Sequence, residues 1–160
     1  EYDYSQKRLL LSGLVELGDP SVVPDVLNTV GQLPVEVQGS DALLYQDSLL
    51  DAMRRLRHPR AYEFLMSLHN HPQPRARADV MDQLAQYPSR QTLHILIEHL
   101  DDPESAVCSR AHDSLVKLAV AAGAPAAHSR LAEEQALHIV WNRWREKNSD
   151  LLPEQPEFAE

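Results

Sequence analysis

Three segments of this chain share one proline-punctuated layout: Leu17-Gly18-Asp19-Pro20, Leu56-Arg57-His58-Pro59 and Leu84-Ala85-Gln86-Tyr87-Pro88. In each, an apolar helical stretch ends, a proline follows, and a second apolar stretch of about three turns begins. The followers are Val22-Val23-Pro24-Asp25-Val26-Leu27, Tyr62-Glu63-Phe64-Leu65-Met66-Ser67-Leu68 and Leu93-His94-Ile95-Leu96-Ile97. Pro20 and Pro59 lie 39 residues apart, Pro59 and Pro88 29 apart, a spacing that predicts repeated helical hairpins. Each unit of such an array touches only its neighbours, so the array is mostly surface and suited to binding macromolecules.

At 160 residues the chain is long enough to bury most of what its unfolded form exposes, and 43% apolar with 24% charged residues is ordinary for a folded domain. The formal net charge of −9 weighs against nucleic acid or an anionic membrane surface, both of which need concentrated positive charge. Cys108 is the one cysteine, so no intrachain disulfide, cysteine-rich zinc site or CxxC redox site can form; in Ala106-Val107-Cys108-Ser109 it reads as a small core residue. No apolar run reaches the roughly 18 residues of a membrane span. The chain opens Glu1-Tyr2-Asp3 without methionine or signal peptide, as an excised domain or processed form does. A soluble protein of cytoplasm or periplasm is expected, with the oligomeric state open.

Eight helices are predicted: about 4–18, ending at Gly18; 20–32; 40–57, capped by Ser40 or Asp41; 59–70; 74–87; one after Pro88, with Ser89 as N-cap; 103–123; and 129–148. Residues 31–40 form the longest irregular connection. The third helix turns Ala42, Tyr45, Leu49, Met53 and Leu56 to the core, steps of three and four that fit a 3.6-residue period. The sixth buries Leu93, Leu96, Ile97 and Leu100, and the eighth aligns Leu137, Val140, Trp141 and Trp144. Strand signals are almost absent. Residues 1–148 are expected as one repeat domain and 149–160, acidic and proline-broken, as a mobile tail.

The stretch from Gly13 to Leu27, with Gly18-Asp19-Pro20 between two aliphatic helices, resembles a bacterial HEAT-like repeat of the kind found in bilin (phycobilisome) lyases. Asp101-Asp102-Pro103 with Val107 and Ala111 is similar to the other half of that pattern, and Trp141-Asn142-Arg143-Trp144 to the ends of some members. Arg57-His58-Pro59 and Gln86-Tyr87-Pro88 depart from the family's Gly-Asp-Pro. The resemblance covers about residues 8–148. It implies an all-α, right-handed α-solenoid of about four antiparallel hairpins, used as a binding scaffold; a minority of relatives are bilin lyases, hydroxylases or immunity proteins.

Eight histidines invite a metal reading, but the His-Glu dipeptides of HEAT-like di-iron hydroxylases are missing and only the reverse, Glu98-His99, occurs. His94 and Glu98 share a helical face with Gln91 and Asp101, which reads as a solvated face. His69 and His71 flank a helix end, where imidazole meets free carbonyls. Serines 12, 40, 89, 105 and 129 lack a nucleophile elbow. The pairs Asp101-Asp102 and Glu133-Glu134 lack an apolar setting, and five glycines make no phosphate loop. No catalytic residue, metal or cofactor is expected.

The arginines are distributed unevenly. Residues 52–78 hold six (54, 55, 57, 60, 75 and 77) against Glu63, whereas residues 1–51 hold nine acids against Lys7 and Arg8. Arg54, Arg55, Arg57 and Arg60 surround one turn. The fourth helix then carries the chain about 18 Å to the opposite edge, where Arg75 and Arg77 begin the next helix and Arg110 should join them. A helix C-terminus explains the first group; Arg75 and Arg77 sit where the dipole disfavours cations. Arg75, Arg77 and Arg110 are therefore expected to dock an acidic protein segment.

Together these features predict a non-catalytic scaffold or adaptor that binds a partner protein or another domain of its parent chain. The helices at 40–57, 74–87 and 103–123 should line its inner surface, with Gln46, Arg54, Arg75, Arg77, Asp79, Gln83, Arg110 and Asp113 as outward contacts. Trp141 and Trp144 are expected to cap the core, with partner binding as their secondary role. Two alternatives stay open: a bilin-lyase-like or other HEAT-fold enzyme, and nucleic-acid binding through the arginine edges.

Overall fold

A computed structural model of the chain describes residues 3–30, 39–125 and 134–158. Among them are eight α-helices and no strand: α1 (Tyr4–Leu17), α2 (Val23–Val30), α3 (Ser40–Leu56), α4 (Pro59–Ser67), α5 (Pro74–Leu84), α6 (Arg90–Glu98), α7 (Ser105–Ala121) and α8 (Glu134–Asn148). Short 3-10 turns occupy Pro20–Val22, His99–Asp101 and Ser149–Leu151. The protein is all-α. No described helix is long and apolar enough to cross a membrane. The start of the eighth helix expected at 129 and most of the connection expected over 31–40 lie outside the described residues.

Prolines open three of the elements, because a proline at the first helical position forfeits an N–H that has no intrahelical partner anyway. The first two punctuated turns are built alike from different residues. Gly18 takes a left-handed conformation (φ 65°), Asp19 accepts the Ser21 N–H at 2.9 Å, and Pro20 starts the next element. In the second turn Arg57 takes φ 42°, His58 Nδ1 accepts the Arg60 N–H at 3.0 Å, and Pro59 follows. An imidazole thus stands in for the carboxylate and an arginine endures the glycine position. Ser89 caps α6 by accepting from Thr92 N. The cap expected of Ser40 or Asp41 is not made: Gly39 (φ 91°) occupies that place without a side-chain bond.

The odd-numbered helices lie side by side in the order α1, α3, α5, α7, while α2 packs on α4 and α6 on α8. The core fills the space between the two sets. Ala42, Tyr45, Leu49, Met53 and Leu56 of α3 are all buried, as are Leu93, Leu96, Ile97 and Leu100. Small residues, Ala76 and Ala78 on α5 and Ala111 on α7, let neighbouring backbones approach closely. Tyr87 is a hub: its hydroxyl donates to Met53 O at 2.5 Å, and burial pushes its pKa up to about 12. Its ring faces those of Tyr62 and Phe158.

Residues 149–158 depart from the expected mobile tail. Leu152 and Pro156 are buried, and Arg90 holds the segment through its own N–H to Pro153 O (2.9 Å) and its Nε to Ser149 O (3.1 Å) and Leu152 O (3.2 Å). Acidic composition hides the apolar minority, Leu152, Pro156 and Phe158, that does the packing.

Candidate docking surface on the odd-numbered helices

The exposed side of α3, α5 and α7 is a ladder of charged side chains. Arg75 reaches from α5 to Asp47 on α3 (3.1 and 3.2 Å), with its Nε 3.8 Å from Asp79 on its own helix. Lys117 on α7 meets Asp82 on α5 at 2.6 Å. Arg54 folds back onto Asp51. Arg110 and Asp113 are exposed; Asp113 lies 3.9 Å from His112, and Arg110 acts on Asp79 by charge without a direct ion pair among the described residues.

Between α3 and α5 the surface turns polar and half-buried. Burial pushes the Asp79 carboxyl above the usual range, and the nearby Asp47 charge adds to the shift; Arg75, Arg110 and Gln46 pull the other way. Gln46 favours the Asp79 carboxylate, yet neither its amide atoms nor Asp79 Oδ2 has a partner in hydrogen-bond geometry. Gln83, one turn on from Asp79, leaves its Oε1 without a partner as well.

Two of the expected outward contacts, Gln46 and Arg77, are turned inward. Gln46 is fully buried, because α1 and α5 flank α3 and widen its covered arc beyond the stripe of apolar residues. Arg77 is not a docking cation: it grips Asp102 with two 2.9 Å hydrogen bonds and donates to the carbonyls of His71 (2.9 Å) and Pro72 (3.2 Å). Its side chain is 13% exposed and that of Asp102 6%, so the pair is an internal brace between the start of α5 and the turn before α7. Arg75 is likewise matched by carboxylates. Carboxylate partners thus offset the two cations at the start of α5. Asp79 and Gln83 are half-buried; Arg54, half-buried and ion-paired, borders the surface, and Arg110 and Asp113 lie on it as expected.

At the α3–α4 turn, Arg54 and Arg55 face Asp51, Arg60 faces Glu63, and Arg57 lies 5.9 Å from the centre of the Tyr87 ring. Trp141 and Trp144 are buried with ring centres 5.7 Å apart, and Trp144 Nε1 donates to Pro125 O at 3.0 Å. They close the core at its α8 end. The carbonyl-binding imidazole is His99, whose two nitrogens each lie 2.9 Å from a carbonyl oxygen, those of Ile95 and His69. Burial pushes His69 and His71 down, helped by interaction with the His99 ring and with the Arg77 charge respectively. Among the described residues no group of three or more His, Cys, Asp or Glu is arranged to hold a metal ion.

Sequence reasoning missed Asp47, Asp82 and Lys117 as ladder members and Asp102 as the partner of Arg77. A signal was present: the partners Asp47–Arg75, Arg77–Asp102 and Asp82–Lys117 are 28, 25 and 35 residues apart, spacings that pair α3 with α5, α5 with the turn before α7, and α5 with α7. The chain matches no family model, and comparison with curated proteins and with solved structures finds no match.

Proposed function

We propose that this chain is a short HEAT-like α-solenoid serving as a non-catalytic scaffold, which binds a partner protein or another domain of its parent chain through the exposed side of α3, α5 and α7. The observation that carries this reading is the continuous charged surface spread over three adjacent helices, with Asp47, Arg110 and Asp113 standing out from it. The like construction of the Gly18 and Arg57 turns supports a repeat. A wide surface of alternating sign suits recognition of a protein with matching charges, because complementarity sets register and excludes wrong partners. Matching of Arg75 and Arg77 by carboxylates weighs against docking on a phosphate backbone.

The test is affinity capture from a lysate of the source organism with two baits, the wild-type protein and an Arg110→Glu/Asp113→Lys variant. Both substitutions lie outside the network of short ion pairs, so circular dichroism should show the fold unchanged. A protein held by the first bait and lost by the second supports the scaffold. Identical recoveries, or none, overturn it.

A further inference from the structure

The charged surface continues past α3 into a groove against α1. On α3, Asp47, Asp51 and Arg54 mark the edge toward α5, while Ser48, Asp51 and Arg55 mark the edge toward α1; steps of three and four keep both on one exposed stripe. Arg8, Ser12 and Glu16 face them from α1 across a cavity of about 290 Å³. That is the low end for a ligand site, room for one side chain rather than a large molecule.

The groove holds one cation, Arg8, that the fold leaves unmatched, and a second, Arg55, held only by an ion pair. Arg8 forms no ion pair or hydrogen bond among the described residues, and its Nε is sealed from solvent without an acceptor. Arg55 lies 3.8 Å from Asp51 Oδ2, an ion pair without a hydrogen bond, while Arg54 donates twice to Oδ1 of the same carboxylate. Arg8 and Arg55 line the cavity from opposite walls, beside the carboxylates of Glu16 and Asp51. A carboxylate matches a guanidinium, since its paired oxygens accept two parallel N–H bonds from one arginine. Ser12 and Ser48 line the same walls.

Glu16 sits two turns from Arg8, about 12 Å along the helix, and its charge opposes a run of acids. Leu44, one turn before Ser48, is 43% exposed at the other end and offers an apolar rest. We infer that this groove receives a single glutamate or aspartate side chain of a partner protein, flanked by an aliphatic residue, between Arg8 and Arg55. The inference rests on the scaffold reading and adds to it the chemistry of the partner.

The probe is a short blocked peptide, acetyl-Leu-Ala-Glu-Ala-Leu-amide, titrated into nitrogen-15-labelled protein beside its glutamine counterpart. The expected result is saturable movement of the Arg8 and Arg55 Nε–H resonances with the glutamate peptide, and at least tenfold weaker binding of the glutamine one. Arg8→Gln and Arg55→Gln should each weaken the glutamate peptide at least tenfold. Glu16→Gln should tighten it, a gain that a misfolded variant cannot mimic. Equal binding of both peptides, no saturable shift at the two arginines, or variants that bind as the wild type would overturn the groove. The two readings fail separately. A captured partner lost by Arg110→Glu/Asp113→Lys, with no peptide binding in the groove, keeps the scaffold and removes this site. Peptide binding without any captured partner does the reverse.

Discussion

Arg77 and Asp102 meet through two parallel hydrogen bonds, Nε to Oδ2 and Nη2 to Oδ1, each 2.9 Å long and almost out of reach of water. The hydrogen bonds from Arg77 hold the Asp102 carboxyl below the usual carboxylate range. Removing one partner strands the other, so Arg77→Ala or Asp102→Ala should each cost roughly 3 kcal/mol of stability, and the double variant much less than their sum. Urea denaturation of the four proteins checks this. The sign of the pH dependence follows from the lowered value: the pair's contribution is complete above the unfolded pKa near 4 and disappears as pH falls through the lower folded value. The Arg77→Ala penalty should therefore shrink in acid below about pH 4.

Asp79 predicts the opposite behaviour. Its folded pKa is raised, chiefly by burial, so its contribution favours the fold below the unfolded value and is lost as pH climbs through the folded one. Asp79→Asn should raise the denaturation midpoint at pH 7 and leave it unchanged at pH 3. A loss of stability at pH 7 would mean that Arg75 and Arg110 outweigh the desolvation.

The two punctuated turns should answer substitution with opposite signs. Gly18→Ala puts a Cβ on a left-handed residue and should destabilise by about 1 kcal/mol. Arg57→Gly relieves the same conformation at φ 42° and loses only the distant contact with the Tyr87 ring, so it should gain about 0.5–1 kcal/mol. Thermal melts of both variants decide it.

Leu152 is 3% exposed in the returning segment. Leu152→Ala should cost about 2–3 kcal/mol, and a chain ending at Asn148 more than that, measured by guanidinium denaturation. A truncated chain as stable as the full one would show that the segment contributes nothing.

Much of the helical layout was legible because each boundary has a local cause. Pro59 and Pro74 mark helix starts and Ser89 caps one, Gly18 ends α1, and the apolar steps of α3 and α6 select the buried faces. The surface was less legible. Whether Arg77 faces solvent or Asp102 depends on which helix stands beside it, and helical periodicity within α5 carries no such information. Gln46 shows the same limit: its burial comes from two flanking helices rather than from its own stretch of sequence. The unequal fate of the acidic end, expected to be mobile and found packed, reflects three apolar residues outvoted in composition by their neighbours.

The bridge from Phe158 to Tyr87, and from Arg90 to Pro153, has a consequence for how this molecule comes apart. Helices stacked only on their neighbours can melt from either end one unit at a time. Here the last stretch of polypeptide returns across about 60–70 residues to the middle of the chain, where Tyr87 also joins Met53 and Tyr62. Fraying of α8 therefore cannot proceed alone. It must release the Tyr87 hub as well, which couples α8 and the returning segment to α3, α4 and α6.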